Sequence, residues 1–407
     1  MTSQRIGSPN YLDKVDLPLS VGYIEFERSF ELSLERIYAM VKISNFDDWV
    51  DYFRVWQKDI GYDPALLGDY KFETKLGELH TPEIEFGDFK GQPKWQRLGQ
   101  IPNQSIRDAL MNLIVYQGDT EFASVEQQKN LLDAAPTEYD RKALTRVNSE
   151  EMRHGWQMCY LLVKYFGDSG KLEARKLLER RAFRGDRLLG SFNAPVNNWL
   201  DFFTYTEFVD RDGKYQLTML SHSAFAPLAE SVTAMLKEEH FHMFTGHTGL
   251  TRVLRAGKIP VTIVQKYFNK WLSTAYDLFG TDNSSSANWA YVWGLKGRFD
   301  EHEATVPADK DRLNDLARDH YMVESAKLIN QLNQLIPENQ PKLYAPDVKF
   351  NRSIGEYVGK TFSVTGELLS SEAYAKHLAE TLPTAEDEKI LKDIMNGKDW
   401  VAQMQMN

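Results

Sequence analysis

The sequence predicts an all-α protein: a four-helix bundle core carrying additional helices, with irregular decoration at both ends. Three observations predict it. Apolar residues recur at the 3.6-residue helical period in four long segments between 104 and 254. Turn material, Ala135-Pro136 and the run from Gly185 to Pro195, separates them. Two of the segments also carry a Glu and a His three residues apart inside the apolar stripe, as a bundle with a metal site in its core requires.

The elements follow in order. Helices are expected over 28–43 and 45–58, the second capped by Asn45 and carrying Trp49, Phe53 and Trp56 on one face. From Gly61 to Pro102, Gly and Pro recur without a sustained period, which reads as loop with a short hairpin. The bundle segments are 104–130, 138–166, 196–219 and 223–254. Further helices are expected over 260–278 and 308–336. The stretch from Pro341 to Leu369 is partly extended, and a last helix led by Thr384 covers 384–396. No linker of disordered composition divides the chain, so 1–407 is read as one domain. Its bundle core is 104–254, with an N-terminal extension (1–103) and C-terminal helices and tail (255–407).

Composition removes several function classes. A net charge of -10 argues against nucleic-acid binding, which needs a basic surface. No apolar run reaches the length of a membrane span, and Met1 to Leu17 is too polar for a signal peptide. The single cysteine, Cys159, excludes an internal disulfide and thiolate metal sites, so a cytoplasmic protein is expected. There is no Walker A loop and no dinucleotide fingerprint, so electrons from NAD(P)H would have to come through a separate protein.

The chemistry lies in Glu151-Met152-Arg153-His154 and Glu239-His240-Phe241-His242. On a helix, residues three apart point about 60° from one another, onto one face. One such pair is weak evidence in a chain with nine histidines. Phase carries more weight. Leu144, Val147, Glu151, His154, Met158 and Leu161 follow one stripe, and Phe225, Leu228, Val232, Met235, Glu239 and His242 follow another. Carboxylates on a core-facing stripe are costly unless paired or bound to metal. The helix before each pair adds an acid. Glu121 lies 30 residues before Glu151 and extends the stripe Ile106, Leu110, Leu113, Ile114, Gln117; Asp210 lies 29 before Glu239 and extends Trp199, Phe203, Thr206. Glu207, one turn before Asp210, is an alternative, and Glu150 and Glu238 point about 100° away, as solvated groups or partners of the histidines. Six carboxylate and imidazole donors suit Fe or Mn.

Several runs then resemble the B components of benzoyl-CoA 2,3-epoxidases. They include Gln117-Gly118-Asp119-Thr120-Glu121, Val147-Asn148, Arg153-His154, Leu177-Leu178-Glu179-Arg180-Arg181, Asp210-Arg211-Asp212-Gly213-Lys214 and Gly294-Leu295-Lys296-Gly297-Arg298-Phe299. The resemblance covers roughly 80–303. It implies a ferritin-like fold and a di-iron centre held by Glu121, Glu151, His154, Asp210, Glu239 and His242, with Asp210 favoured over Glu207. It also implies epoxidation of an aryl-CoA thioester such as benzoyl-CoA with O₂, electrons from an external NADPH-dependent iron–sulfur flavoprotein reductase, and Gln117 facing substrate. His240 departs from the small residue expected there, and the connection Ala182 to Arg187 looks shortened. An arylamine N-oxygenase, a desaturase or an iron-storage protein would share the metal site.

Two groups of cations are phosphate candidates: Lys171, Arg175, Lys176, Arg180, Arg181, Arg184 and Arg187, and the pair Lys296 and Arg298. For the first, a solvated helix face with pairs to Glu173 and Glu179 is the favoured alternative. Asp119, Asn148 and Glu238 are candidates to orient the ligand histidines, and Phe203, Phe241 and Met243 to exclude water from the site.

Overall fold

Four helices with strong start signals organise the chain in a computed structural model, which describes residues 42–282, 284–397 and 399–404. They are α2 (Gln104–Gln128), α3 (Glu138–Tyr165), α5 (Trp199–Ser221) and α6 (Ala226–Ala256). Asn103, Thr137 and Asn198 cap the first three by accepting from the backbone N–H three residues on. Pro227 opens α6, and Gly257 closes it in a left-handed conformation (φ 62°) that side-chain-bearing residues avoid. α2 packs along α3 and α5 along α6, and α3 also meets α6, which brings both Glu-x-x-His helices face to face.

Seven more α-helices surround them: α1 (Phe46–Asp59), α4 (Gly167–Glu179), α7 (Val261–Leu278), α8 (Ser285–Val292), α9 (Leu313–Asn333), α10 (Ser371–Thr381) and α11 (Ala385–Met395). The all-α expectation holds, with eleven α-helices and only isolated β-bridges among the described residues. The helix expected over 28–43 lies outside those residues except for its last two, which are not helical. α1 has the expected Asn45 cap, closed into a capping box by Asp48. Its Trp49, Phe53 and Trp56 are buried against Phe122 of α2, with ring centroids 6.4, 6.1 and 5.0 Å away. The residues from Ile43 onward form one compact unit.

The hairpin expected between Gly61 and Pro102 reduces to one antiparallel bridge between Glu83 and Pro93. The rest of that loop is fastened to the bundle. Gly77 N–H donates to the Glu230 carbonyl, and Trp95 exchanges backbone hydrogen bonds with Ala224 and Ala226 at the start of α6. A Cβ on Gly77 would stand 2.8 Å from Thr233, so only glycine lets the loop lie this close to α6. α8 and α10 were not expected. The first is only eight residues long, and the second buries none of its side chains, so neither shows an apolar stripe.

Candidate metal centre

All six residues picked out by phase are buried in the bundle: Glu121 on α2, Glu151 and His154 on α3, Asp210 on α5, Glu239 and His242 on α6. Five of them form two overlapping groups. Donor atoms of Glu121, Glu151 and His154 lie within 4.8 Å of one another, as do those of Glu151, Glu239 and His242. Glu151 therefore belongs to both. Glu239 also spans the site, with one oxygen 3.5 Å from His154 Nδ1 and the other 3.3 Å from His242 Nδ1. Glu121 stands 3.4 Å from His154 Nδ1, and Glu151 3.4 Å from His242 Nδ1.

Each imidazole is oriented from its far side, across the helix pair. His154 Nε2 lies 2.8 Å from Glu238 on α6, and His242 Nε2 lies 3.1 Å from Glu150 on α3. The exchange is reciprocal: each acid immediately precedes the Glu of one Glu-x-x-His and serves the His of the other. Of the three orienting candidates, only Glu238 has this role. Asp119 instead binds Arg187, and the buried side chain of Asn148 has no partner. Arg153 and Lys75 hold Glu238, while Arg146 holds Glu150. The part played by Lys75 had no periodic signal, because it comes from the irregular loop before α2.

Charge is out of balance at this site. Burial, then the neighbouring Glu121 carboxylate, pushes Glu151 well above the usual carboxyl range. Burial does the same to Asp210. Glu121 goes the other way: burial raises it, but the attraction of the neighbouring His154 outweighs that. Burial opposes charge on both histidines, yet the surrounding carboxylates prevail and raise His154 and His242.

The residues present fit a pair of divalent cations. Nδ1 of His154, Nδ1 of His242 and Oδ2 of Asp210 are buried without a hydrogen-bond partner, although carboxylate oxygens stand 3.3–3.5 Å from both nitrogens. Atoms bound at about 2.1 Å to a shared ion lie about 3.0–3.4 Å apart. Four carboxylates would balance two such ions. Asp210 is outside both close groups but interacts electrostatically with His242, Glu239 and Glu121. Glu207 is engaged elsewhere, 3.2 Å from His247 and 3.5 Å from Arg211.

Beside the cluster lies a cavity of about 570 Å³ lined by α2, α5, the end of α7 and α8. Gln117 lines it and donates to Glu121 Oε1 at 2.5 Å, so one side chain touches both cavity and cluster. Of the water-excluding candidates, Phe203 and Met243 are buried, whereas Phe241 is half-buried under the Arg146 guanidinium.

Most of the first cationic group is already paired with acids. Arg187 is buried against Asp119 and Glu126, and Arg181 against Asp59. Lys171, Lys176 and Arg175 pair along α4 with Asp168, Glu173 and Glu179, as a helix face does. Arg298 is taken up by Asp300 and the Val306 carbonyl. Lys296 alone of that pair lines the cavity.

Fold and site together define the class: a helical bundle whose facing helices offer carboxylate–histidine groups able to hold metal. The chain belongs to the phenylacetic acid catabolic protein family, which matches residues 99–344. It is 35% identical over 399 residues to benzoyl-CoA oxygenase component B of Aromatoleum evansii, covering 84% of this chain and 83% of that protein. It is 22% identical over 253 residues to one polypeptide of the 1,2-phenylacetyl-CoA epoxidase of Escherichia coli (strain K12), covering 62% of this chain and 74% of that polypeptide. No helix among the described residues is long and apolar enough to cross a membrane.

Proposed function

We propose that this protein is a di-iron oxygenase that uses O₂ to epoxidise the ring of an aryl-CoA thioester, benzoyl-CoA being the first candidate, in the aerobic breakdown of aromatic compounds. The observation that carries this is the contact of cavity and cluster at Gln117, beside a donor set that suits iron and contains no thiolate. The two relatives, an oxygenase component and an epoxidase polypeptide named for aryl-CoA and arylacetyl-CoA substrates, support it.

Glu121, Glu151, His154, Asp210, Glu239 and His242 would hold the two irons. When bound, the ferrous pair supplies two electrons and a binding site for O₂. The chain's own residues do the rest. Glu151 and Glu239 stand between the two histidines and would offer carboxylate oxygens to both ions. Glu238 and Glu150 direct the imidazoles so that Nδ1 faces the cluster. Gln117 restrains Glu121 and presents its amide to the ring, while Leu113, Phe192 and Val209 give the cavity apolar walls that keep water out.

Electrons come from a separate NADPH-dependent iron–sulfur flavoprotein reductase; the "component B" in one relative's name supports a separate partner component, not its kind. The decisive experiment loads the protein with ferrous iron anaerobically, then adds O₂ with a panel of aryl-CoA thioesters, free aromatic acids and arylamines. Oxygenated product from the thioesters alone is expected. Turnover confined to free amines or acids, or none despite two bound irons, would overturn the assignment.

A further inference from the structure

The cavity beside the metal cluster has acidic and basic side chains at one place among its described lining residues. Apart from Tyr116, the ionisable groups among its described lining residues are Asp212 and Lys296. Gln216 joins them: Lys296 Nζ donates to Gln216 Oε1 at 2.7 Å, and Gln216 Nε2 donates to Asp212 Oδ1 at 3.0 Å. Gln216 is fixed in turn by its second contact, 3.3 Å to the Leu278 carbonyl at the end of α7. An ammonium carries three donors, so this arrangement leaves Lys296 N–H groups for a ligand while holding its direction.

The charge of this polar end decides what it can take. Lys296 is opposed by Asp212, whose side chain is buried, so the pair is close to neutral. No arginine lines the cavity among the described residues, and the nearby Arg298 and Arg187 are already held by acids. Burial lowers Lys296, as expected of an ammonium largely removed from water. Burial already pushes the Asp212 carboxyl up to about 7, and a bound carboxylate would set a second acid beside it with Lys296 as the one cation among the described lining residues to offset both. A neutral carbonyl needs one donor and adds no charge.

We propose that Lys296, set in place by Gln216 and Asp212, is the residue by which the cavity selects a neutral aryl acyl group, the carbonyl of an aryl thioester, over the free aryl carboxylate. This rests on the aryl-thioester assignment above. The acyl carbonyl accepts from Lys296 Nζ, and the ring extends along the apolar walls toward Gln117. Discrimination against the free acid is then made at the acyl group itself, independently of any contact to the coenzyme A portion.

The test uses full-length, ferrous-loaded protein under anaerobic conditions, where no turnover occurs. Binding of S-ethyl thiobenzoate and of benzoate is followed by quenching of Trp289 and Trp293, which line the cavity as a stacked pair. The thioester is expected to bind at least about 10-fold tighter than benzoate. Lys296→Met should weaken the thioester by on the order of 10-fold, and Lys296→Arg should restore most of it. Asp212→Asn should shift the preference toward benzoate by about 10-fold relative to the thioester, because the polar end becomes net positive. A merely structural role for the pair would not shift the preference between the two ligands. Benzoate binding as tightly as thioester to the wild type, or an unchanged thioester affinity in a folded Lys296→Met protein, overturns the selection by Lys296 but leaves the aryl cavity standing. Absence of quenching by either ligand overturns the aryl assignment, and this inference with it.

Discussion

The α2–α3 half and the α5–α6 half of the bundle repeat the same pattern, an acid, about 30 residues, then Glu-x-x-His, yet they do not provide the same surroundings. In the first half, Glu121 is restrained by Gln117 and stands 3.4 Å from His154 Nδ1. In the second, Asp210 is outside both close groups and its Oδ2 has no partner. Support behind the histidines differs in the same sense. Glu238, behind His154, is gripped by the fully buried Arg153 and by Lys75. Glu150, behind His242, has one cationic partner among the described residues, Arg146, whose side chain is 54% exposed. A duplicated sequence pattern thus yields two unequal halves, one whose acid is held by a neighbour and one whose acid keeps a buried oxygen without a partner.

The largest effect should come from the residues the halves share. Glu151→Ala or Glu239→Ala removes a carboxylate that serves both positions, and metal affinity should fall at least about 100-fold. Elemental analysis after ferrous loading reads this directly. Wild-type protein that stays metal-free would remove the basis for comparing two cation positions at all.

Next comes the acid of the second half. Asp210→Ala should abolish O₂-dependent turnover, whereas Glu207→Ala, which touches His247 and Arg211 instead, should retain iron and measurable activity. The opposite outcome in paired turnover and iron assays would place the α5 ligand one turn earlier.

The supporting arginines sharpen the contrast in stability. Arg153→Leu leaves Glu238 without its buried partner and should destabilise the fold by about 3 kcal/mol. Arg146→Leu breaks a pair at the protein edge and should cost about 1 kcal/mol or less. Urea unfolding midpoints of the two variants decide it, and equal losses would mean that the halves are supported alike. The smallest effect is expected at Lys75, 38% exposed and bound to Glu238 from the loop. Lys75→Met should weaken metal binding only a few-fold in a competition titration, since Arg153 remains.

Much of this was legible before folding was considered. The stripes through Glu151–His154 and Glu239–His242 run along faces whose four side chains are buried in the bundle, and the boundaries of α2, α3, α5 and α6 fall within a few residues of those expected. Misreadings cluster where no period exists. The run from Lys171 to Arg187 looked like one basic surface, but Arg181 and Arg187 turn inward after α4 ends and neutralise Asp59, Asp119 and Glu126. Phe241 of α6 lies under the Arg146 guanidinium, 3.8 Å from its ring centroid, a contact that helical phase alone does not foretell.

By itself the sequence determined the class of fold, the helical faces and the donor types, because the 3.6-residue repeat follows from local backbone geometry and applies within any one helix. Only the tertiary structure decided that Glu238 serves His154 and Glu150 serves His242, that Lys75 reaches the first of these pairs, and that Asp212, Gln216 and Lys296 meet at one end of the cavity. Those relations join residues as many as 163 positions apart. They depend on how each helix is rotated and shifted against its neighbour, which is set by packing the whole core and is written in no local repeat.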